Sequence, residues 1–175
     1  HTPVRGNLEL DPEGQFPLPD DARTIFEVMK DAGYKTSAFG KWGLGYIGST
    51  GDPKNQGCDT FYGYNCQLLA HSYYPDHLWD NDKRVELEDN NLNVQYGKGT
   101  YSQDLIHGKA LKYLDNMNPD EPFFMWYPTI IPHAELIVPE DSIIQKFRGM
   151  YPEKPYKGTE PGSPAFRKGG YCSQF

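Results

Sequence analysis

An α/β fold with a mostly parallel sheet is predicted for this 175-residue chain on three observations. Helix and strand patterns alternate along it, in the order helix, strand, long loop, helix, strand. "PFFMWYPTII" is a continuous apolar run of the kind that parallel sheets use. "KTSAFGK" reads as a second, shorter strand, expected to be buried on both faces.

The elements follow in chain order. "LPDDARTIFEVMKDAGY" is the clearest helix, with Asp20 or Asp21 as N-cap, because a carboxylate there accepts free first-turn amides. Ala22, Ile25, Phe26, Met29 and Ala32 recur at intervals of three and four and form one apolar stripe. Gly33 is a natural residue for the position just past the helix. After the "KTSAFGK" strand, residues 43–99 are too long for a mere connector and are rich in Gly, Asn and aromatics. They are expected to form a long functional loop region. "TYSQDLIHGKALKYLDNM" opens with Thr100 and Gln103 at capping-box spacing and sets Ile106, Ala110 and Leu114 on one face. "VPEDSIIQKF" suits one short helix, and the Pro, Gly and Lys content from "MYPEKPY" onward suits surface loop.

Composition narrows the function classes. Gly (18) and Pro (15) make up about a fifth of the chain, so much of it is loop. Apolar residues without Tyr, but with Gly, amount to about 40%, below the ~45–50% of ordinary domains. That balance, with a start at His1, fits an internal piece of a larger domain. Lys and Arg number 17 against 24 Asp and Glu, a net charge of −7. This argues against non-specific nucleic-acid binding and leaves room for a local basic pocket. No apolar run approaches the ~18 residues of a membrane span, and no signal peptide is read at the N-terminus. Cys58, Cys66 and Cys172 are too few and too scattered for a disulfide framework or a zinc site. One bridged pair and three free thiols both fit.

Two residues stand where an α/β sheet binds ligands, beyond the carboxyl ends of its strands. Lys41, in "FGKWGLG", ends the first strand, and His133, in "IIPHAEL", lies just past the second. If those strands are parallel neighbours, an ammonium and an imidazole converge, a pair suited to an oxyanion. A solvated strand-end lysine and an ordinary loop histidine fit the same spacing. "GKWGLG" lacks P-loop spacing.

Several ordered blocks resemble the sulfatase family of the alkaline-phosphatase superfamily. "DDARTIFEVMKDAGYKTSAFGKWGLG" resembles its helix and strand ending in "GKWHLG". "QGCDTFYGY" resembles "GFDxFyGy", with Cys58 in the place of Phe. "PFFMWYPTIIPHAELIVPED" resembles its strand and "PHxPxxxP" loop. The resemblance implies an alkaline-phosphatase-like fold and hydrolysis of sulfate esters. The family uses a formylglycine nucleophile from a C/S-x-P-x-R motif and a divalent cation, usually calcium. Lys41 then matches the lysine that contacts the sulfate and the nucleophile, and His133 the histidine that binds the sulfate or assists at the leaving oxygen.

Three departures qualify this. The chain has no C/S-x-P-x-R and no D-N-G metal segment, so it reads as the central part of a catalytic domain, residues 1–175, lacking the N- and C-terminal parts of that domain. On its own it is expected to bind no cation and to be inactive. The histidine that follows Trp in the family is Gly43 here. "QLLAHSYYPDHLW" brings His71, Tyr73, Tyr74, His77 and Trp79 together, and His71 is expected to fill the space that Gly43 leaves. His71, Tyr74 and His77 are candidate substrate contacts, with the aromatics stacking on a sugar ring or forming a mini-core within the loop. His107 is expected to be structural or solvated. Lys154, Lys157, Arg167 and Lys168 fit either a contact to an anionic saccharide or a solvated surface. The expected substrate is a sulfated saccharide or small aryl sulfate, and the family makes a periplasmic or secreted location plausible. The alternatives are a phosphate or phosphonate ester hydrolase of the same superfamily and a non-catalytic carbohydrate- or anion-binding module.

Overall fold

The computed structural model describes residues 13–90, 99–133 and 138–151. Helix α1 (Ile25–Asp31) begins later than the aspartates suggest. Its N-cap is Thr24, whose hydroxyl accepts the Glu27 N–H at 3.4 Å while the Glu27 carboxylate accepts the Thr24 N–H at 2.7 Å. This reciprocal box satisfies two first-turn donors at once, and Asp20 and Asp21 are left in the preceding turn. Only Phe26 of the expected stripe is fully buried. Gly33, at φ 87°, closes the helix: its N–H reaches the Lys30 carbonyl, and the Tyr34 N–H reaches that of Met29.

Strand β1 (Lys35–Lys41) is an interior strand of a five-stranded sheet, and Thr36 to Gly40 are buried, as expected. On one side it runs parallel to β2 (Thr60–Tyr64), with Lys41 opposite Tyr64. On the other it runs parallel to β5 (Phe123–Trp126), with Lys35 opposite Phe123. An antiparallel hairpin extends the sheet beyond β2. Its strands are β3 (His77–Asp80) and β4 (Lys83–Glu86), and the strand order is β4-β3-β2-β1-β5.

The 43–99 region is therefore not simply loop. It carries three strands and a 3₁₀ turn (Leu69–His71). The hairpin turns at Asn81, at φ 56°, whose side chain accepts the Phe61 N–H at 2.8 Å and ties the tip to β2. The edge position of β5 also corrects the expectation of a buried run. Among the described residues no strand pairs its outer side, and Phe123 and Trp126 remain about half exposed, at 44% and 51%.

Helix α2 (Ser102–Asp115) starts without a side-chain cap. Thr100 is instead held by Asn90, which bonds both its N–H and its carbonyl, so the capping box expected there does not form. Ile106 and Ala110 of α2 pack with Phe39, Tyr62 and Tyr64 on one face of the sheet, and Leu114 is largely outside that contact. On the other face Phe26 of α1 packs with Ala38, Phe61 and Trp42. Adjacent residues 38/39 and 61/62 thus go to opposite cores, as strand geometry requires. Helix α3 (Ser142–Phe147) is capped by Asp141, which accepts the Ile143 and Ile144 N–H groups.

Candidate active site

Lys41 is the last residue of β1 and is half-buried. Burial holds its ammonium below the usual lysine pKa. Its N–H donates to the Pro128 carbonyl at 3.0 Å, which draws the chain after β5 over the end of β1. Gly40 permits this approach: at φ 134°, a Cβ there would lie 2.2 Å from the Pro128 oxygen. That close passage carries residues 129–133 toward Lys41.

His133 arrives at the end of this segment. The Tyr73 hydroxyl grips its backbone twice, accepting its N–H at 2.7 Å and donating to its carbonyl at 3.0 Å. Two residues before Tyr73, His71 ends the 3₁₀ turn, and its ring stands edge-on to that of His133 with centroids 4.7 Å apart. One short segment, 71–73, thus supplies the second imidazole and anchors the first. His71 Nδ1 faces the Leu68 carbonyl at 3.1 Å. A carbonyl only accepts, so Nδ1 carries the proton and Nε2 is left as the acceptor of the neutral ring. Burial, then the charge of Lys41, then that of His71, push the His133 pKa below the usual histidine value. Lys41, His71 and His133 therefore form one cluster at the carboxyl ends of two adjacent parallel strands. Such a cluster offers a fixed positive charge and two imidazoles, and it suits an oxyanion.

His71 reaches this cluster, but it does not occupy the space at Gly43. A Cβ built on Gly43 would lie 2.1 Å from Gln67 Nε2 and 3.3 Å from Gln15 Oε1. The carboxamide of Gln67 fills that space. No feature of the sequence had marked Gln67 or Tyr73 for these positions beyond their spacing from His71.

His77 and Tyr74 do not join the cluster. His77 is buried in β3, with Nε2 on Glu13 Oε2 at 2.6 Å and Nδ1 on Asp76 Oδ1 at 2.7 Å, so neither nitrogen is free for a substrate. Glu13 also accepts the Trp79 indole N–H at 2.9 Å. Tyr74 packs on the main core and its ring lies 5.5 Å from that of Tyr101. Tyr73 and Tyr74 thus belong to the mini-core of the loop, while Tyr74 and Trp79 remain partly exposed. His107 is exposed on α2. Lys154, Lys157, Arg167, Lys168 and Cys172 lie outside the described residues.

The His77 network makes a prediction about stability. Burial pushes the His77 pKa down, but the hydrogen bond and charge of Glu13 and the hydrogen bond of Asp76 outweigh it, also against the opposing charge of Arg84, and the net pKa is raised above 6.5. A raised folded-state pKa adds stability that is full below about 6.5 and is lost as pH rises through the folded value. Glu13→Gln is expected to cost about 1–3 kcal/mol at pH 6 and distinctly less at pH 8.5. Urea midpoints of both chains at both pH values check this; an equal loss at the two would contradict it.

Other features carry less chemistry. A cleft of about 430 Å³ lined by Asp20, Arg23, Glu27, Lys30 and Lys54 holds mixed charge and none of the cluster. Cys58 and Cys66 are buried, and burial pushes the Cys58 thiol up to about 12, so it is no nucleophile at neutral pH. Among the described residues no three His, Cys, Asp or Glu side chains are grouped to hold a metal ion. No helix among them is long and apolar enough to cross a membrane.

Residues 3–164 match the model of the Sulfatase family. The ulvan-active sulfatase of Formosa agariphila is 33% identical over 138 residues, covering 77% of this chain and 24% of that protein. The N-acetylglucosamine-6-O-sulfatase of Bacteroides thetaiotaomicron is 30% identical over 113 residues, 65% of this chain and 17% of that one. Arylsulfatase J of Mus musculus is 29% identical over 126 residues, 70% of this chain and 21% of that one. A solved structure described as in complex with its substrate D-glucosamine-2-N,6-O-disulfate aligns with a TM-score of 0.50 and 28% identity, over 68% of this chain and 20% of that one. This chain thus spans between 17% and 24% of the length of the three curated relatives. The parallel strands, the flanking helices, the likeness to that solved structure and the family match identify the fold as alkaline-phosphatase-like. With the family match running over nearly its whole length, the chain belongs to the sulfatase family.

Proposed function

We propose that this chain is the central part of a sulfatase catalytic domain, and that the complete enzyme hydrolyses sulfate monoesters on a saccharide. The observation that carries the reading is the convergence of Lys41, His71 and His133 beyond β1 and β5. The saccharide is supported by relatives named for a sulfated amino sugar and for ulvan.

In this reading Lys41 sets its ammonium against a sulfate oxygen and offsets the negative charge that would repel an attacking group. His133 lies on the leaving-oxygen side. A bound anion counters the Lys41 charge there, so the imidazole can take up a proton and pass it to the departing oxygen. His71 Nε2 adds a hydrogen bond beside it when the ring is protonated and both its nitrogens donate. The family resemblance implies a formylglycine nucleophile and a divalent cation. The described residues do not group to hold such a cation and the chain contains no C/S-x-P-x-R stretch, so no step here passes through either.

The test compares the complete enzyme with the 175-residue chain, using an aryl sulfate, a 6-O-sulfated saccharide and the matching phosphate esters. The complete enzyme is expected to turn over the sulfates in preference to the phosphates. The 175-residue chain is expected to be inactive. It is also expected to self-associate through the open β5 edge, where Phe123, Trp126, Tyr127 and Ile131 are at least 40% exposed. Phosphate turnover without sulfate turnover by the complete enzyme would overturn the sulfatase reading. Turnover by the short chain alone would overturn its description as an incomplete site.

A further inference from the structure

We propose that the Gln67 carboxamide, seated over Gly43, binds an oxygen of the sulfate group beside Lys41. The proposal rests on the sulfatase reading above and adds a residue to that site. Gly43 has a backbone φ of 88°, and the volume that a side chain there would take is occupied by the Gln67 amide, 2.1 Å from the Cβ position. Gly43 follows Lys41 by two residues, so their Cα atoms lie within about 7 Å. The space in question therefore borders the Lys41 end of the cluster.

The local fold directs Gln67 there. The Ala70 N–H bonds the Cys66 carbonyl at 3.2 Å, and the His71 N–H bonds that of Leu68 at 3.1 Å. Residues 66–71 thus form one helical turn, and positions 67 and 71 come to the same side of it. The turn sets Gln67 over Gly43 and His71 against His133.

The polar groups around this spot are only half satisfied. Gln15 is buried, and its Oε1 accepts the Gln67 N–H at 3.3 Å. A backbone N–H only donates, which fixes the orientation of the Gln15 amide and leaves its Nε2 buried without an acceptor among the described residues. A side-chain hydrogen bond from the Gln67 carboxamide is likewise absent among the described residues. A buried donor rarely stays idle, and the Gln15 amide, whose Oε1 lies 3.3 Å from the Gly43 Cβ position beside Gln67, is one that an acceptor from outside the protein would satisfy. A sulfate oxygen is a strong acceptor for an amide N–H, and Lys41 next to it supplies the charge that a neutral amide lacks.

Inorganic sulfate is the probe, used as an inhibitor of the complete enzyme in hydrolysis of an aryl sulfate. Gln67→Ala is expected to weaken sulfate inhibition about tenfold, the scale of one hydrogen bond to a charged group. Gln67→Glu keeps the shape and adds a negative charge, and it is expected to weaken inhibition further. Thermal unfolding midpoints close to wild type show that both variants fold. Unchanged sulfate inhibition in both variants, with the wild type active, overturns the role of Gln67 and leaves the sulfatase reading standing. A change in KM for a sulfated saccharide with unchanged sulfate inhibition also overturns it, because the contact is then to the sugar. A wild-type enzyme that hydrolyses no sulfate ester overturns the sulfatase reading, and the proposal with it.

Discussion

Lys41→Ala in the complete enzyme is expected to lower kcat/KM by about 10²–10³, the scale of removing one preorganised electrostatic contact. The size of the effect comes from where the charge sits. Lys41 ends an interior strand, is half-buried, and burial is the cause of its lowered pKa. A charge in such a place is screened less than one on the surface, so its attraction for a sulfate oxygen is stronger than water would allow. Lys41→Arg is expected to recover little of the loss. A planar fork spreads the charge and presents its donors in a fixed geometry that a single ammonium does not have. Steady-state kinetics on folded variants decide the matter. A Lys41→Ala enzyme with near wild-type kcat/KM would remove Lys41 from the mechanism.

His133→Ala is expected to lower kcat by about 10²–10⁴ for substrates with poor leaving groups, the range of general acid catalysis. The loss should shrink for activated aryl sulfates, whose oxygen departs without a proton. A plot of log kcat against leaving-group pKa should therefore be steeper for the variant than for the wild type. The same charge coupling yields a direct measurement on the histidine. The Lys41 charge is one of the groups that depress His133, after burial. Removing it with Lys41→Ala should raise the His133 pKa, which NMR titration of the imidazole reads. His107→Ala, on the exposed face of α2, serves as the control and should change neither kinetics nor that titration. Parallel leaving-group plots for wild type and His133→Ala would rule out a proton transfer by His133.

Local sequence rules were enough wherever the deciding interaction spans a few residues. Gly33 ends α1 because a left-handed residue is needed within one turn of it. Thr36 to Gly40 read as a buried strand, and that strand lies inside the sheet between β2 and β5. The alternation of helix and strand was sufficient to put Lys41 at one strand end and His133 past another, and the pairing of β1 with β5 made those strands neighbours. Where two local rules competed, the choice was harder: Asp20, Asp21 and Thr24 can all cap, and the Glu27 carboxylate decided for Thr24.

Only the tertiary structure decided the rest, because the deciding contacts join residues far apart in the chain. Strands β2, β3 and β4 are four or five residues long, and their stability comes from cross-strand pairs with no local signature. The apolar run of β5 is that of a buried strand, yet its outer side has no partner among the described residues. His77 looked like a ligand in a histidine-rich loop and is instead held by Glu13, 64 positions away. His71 and His133, and Gln67 and Gly43, meet for the same reason: a turn formed at 66–71 is laid against the ends of β1 and β5 by the packing of the sheet. Residue identity determined which groups could bind a sulfate, and the sheet determined which of them stand together.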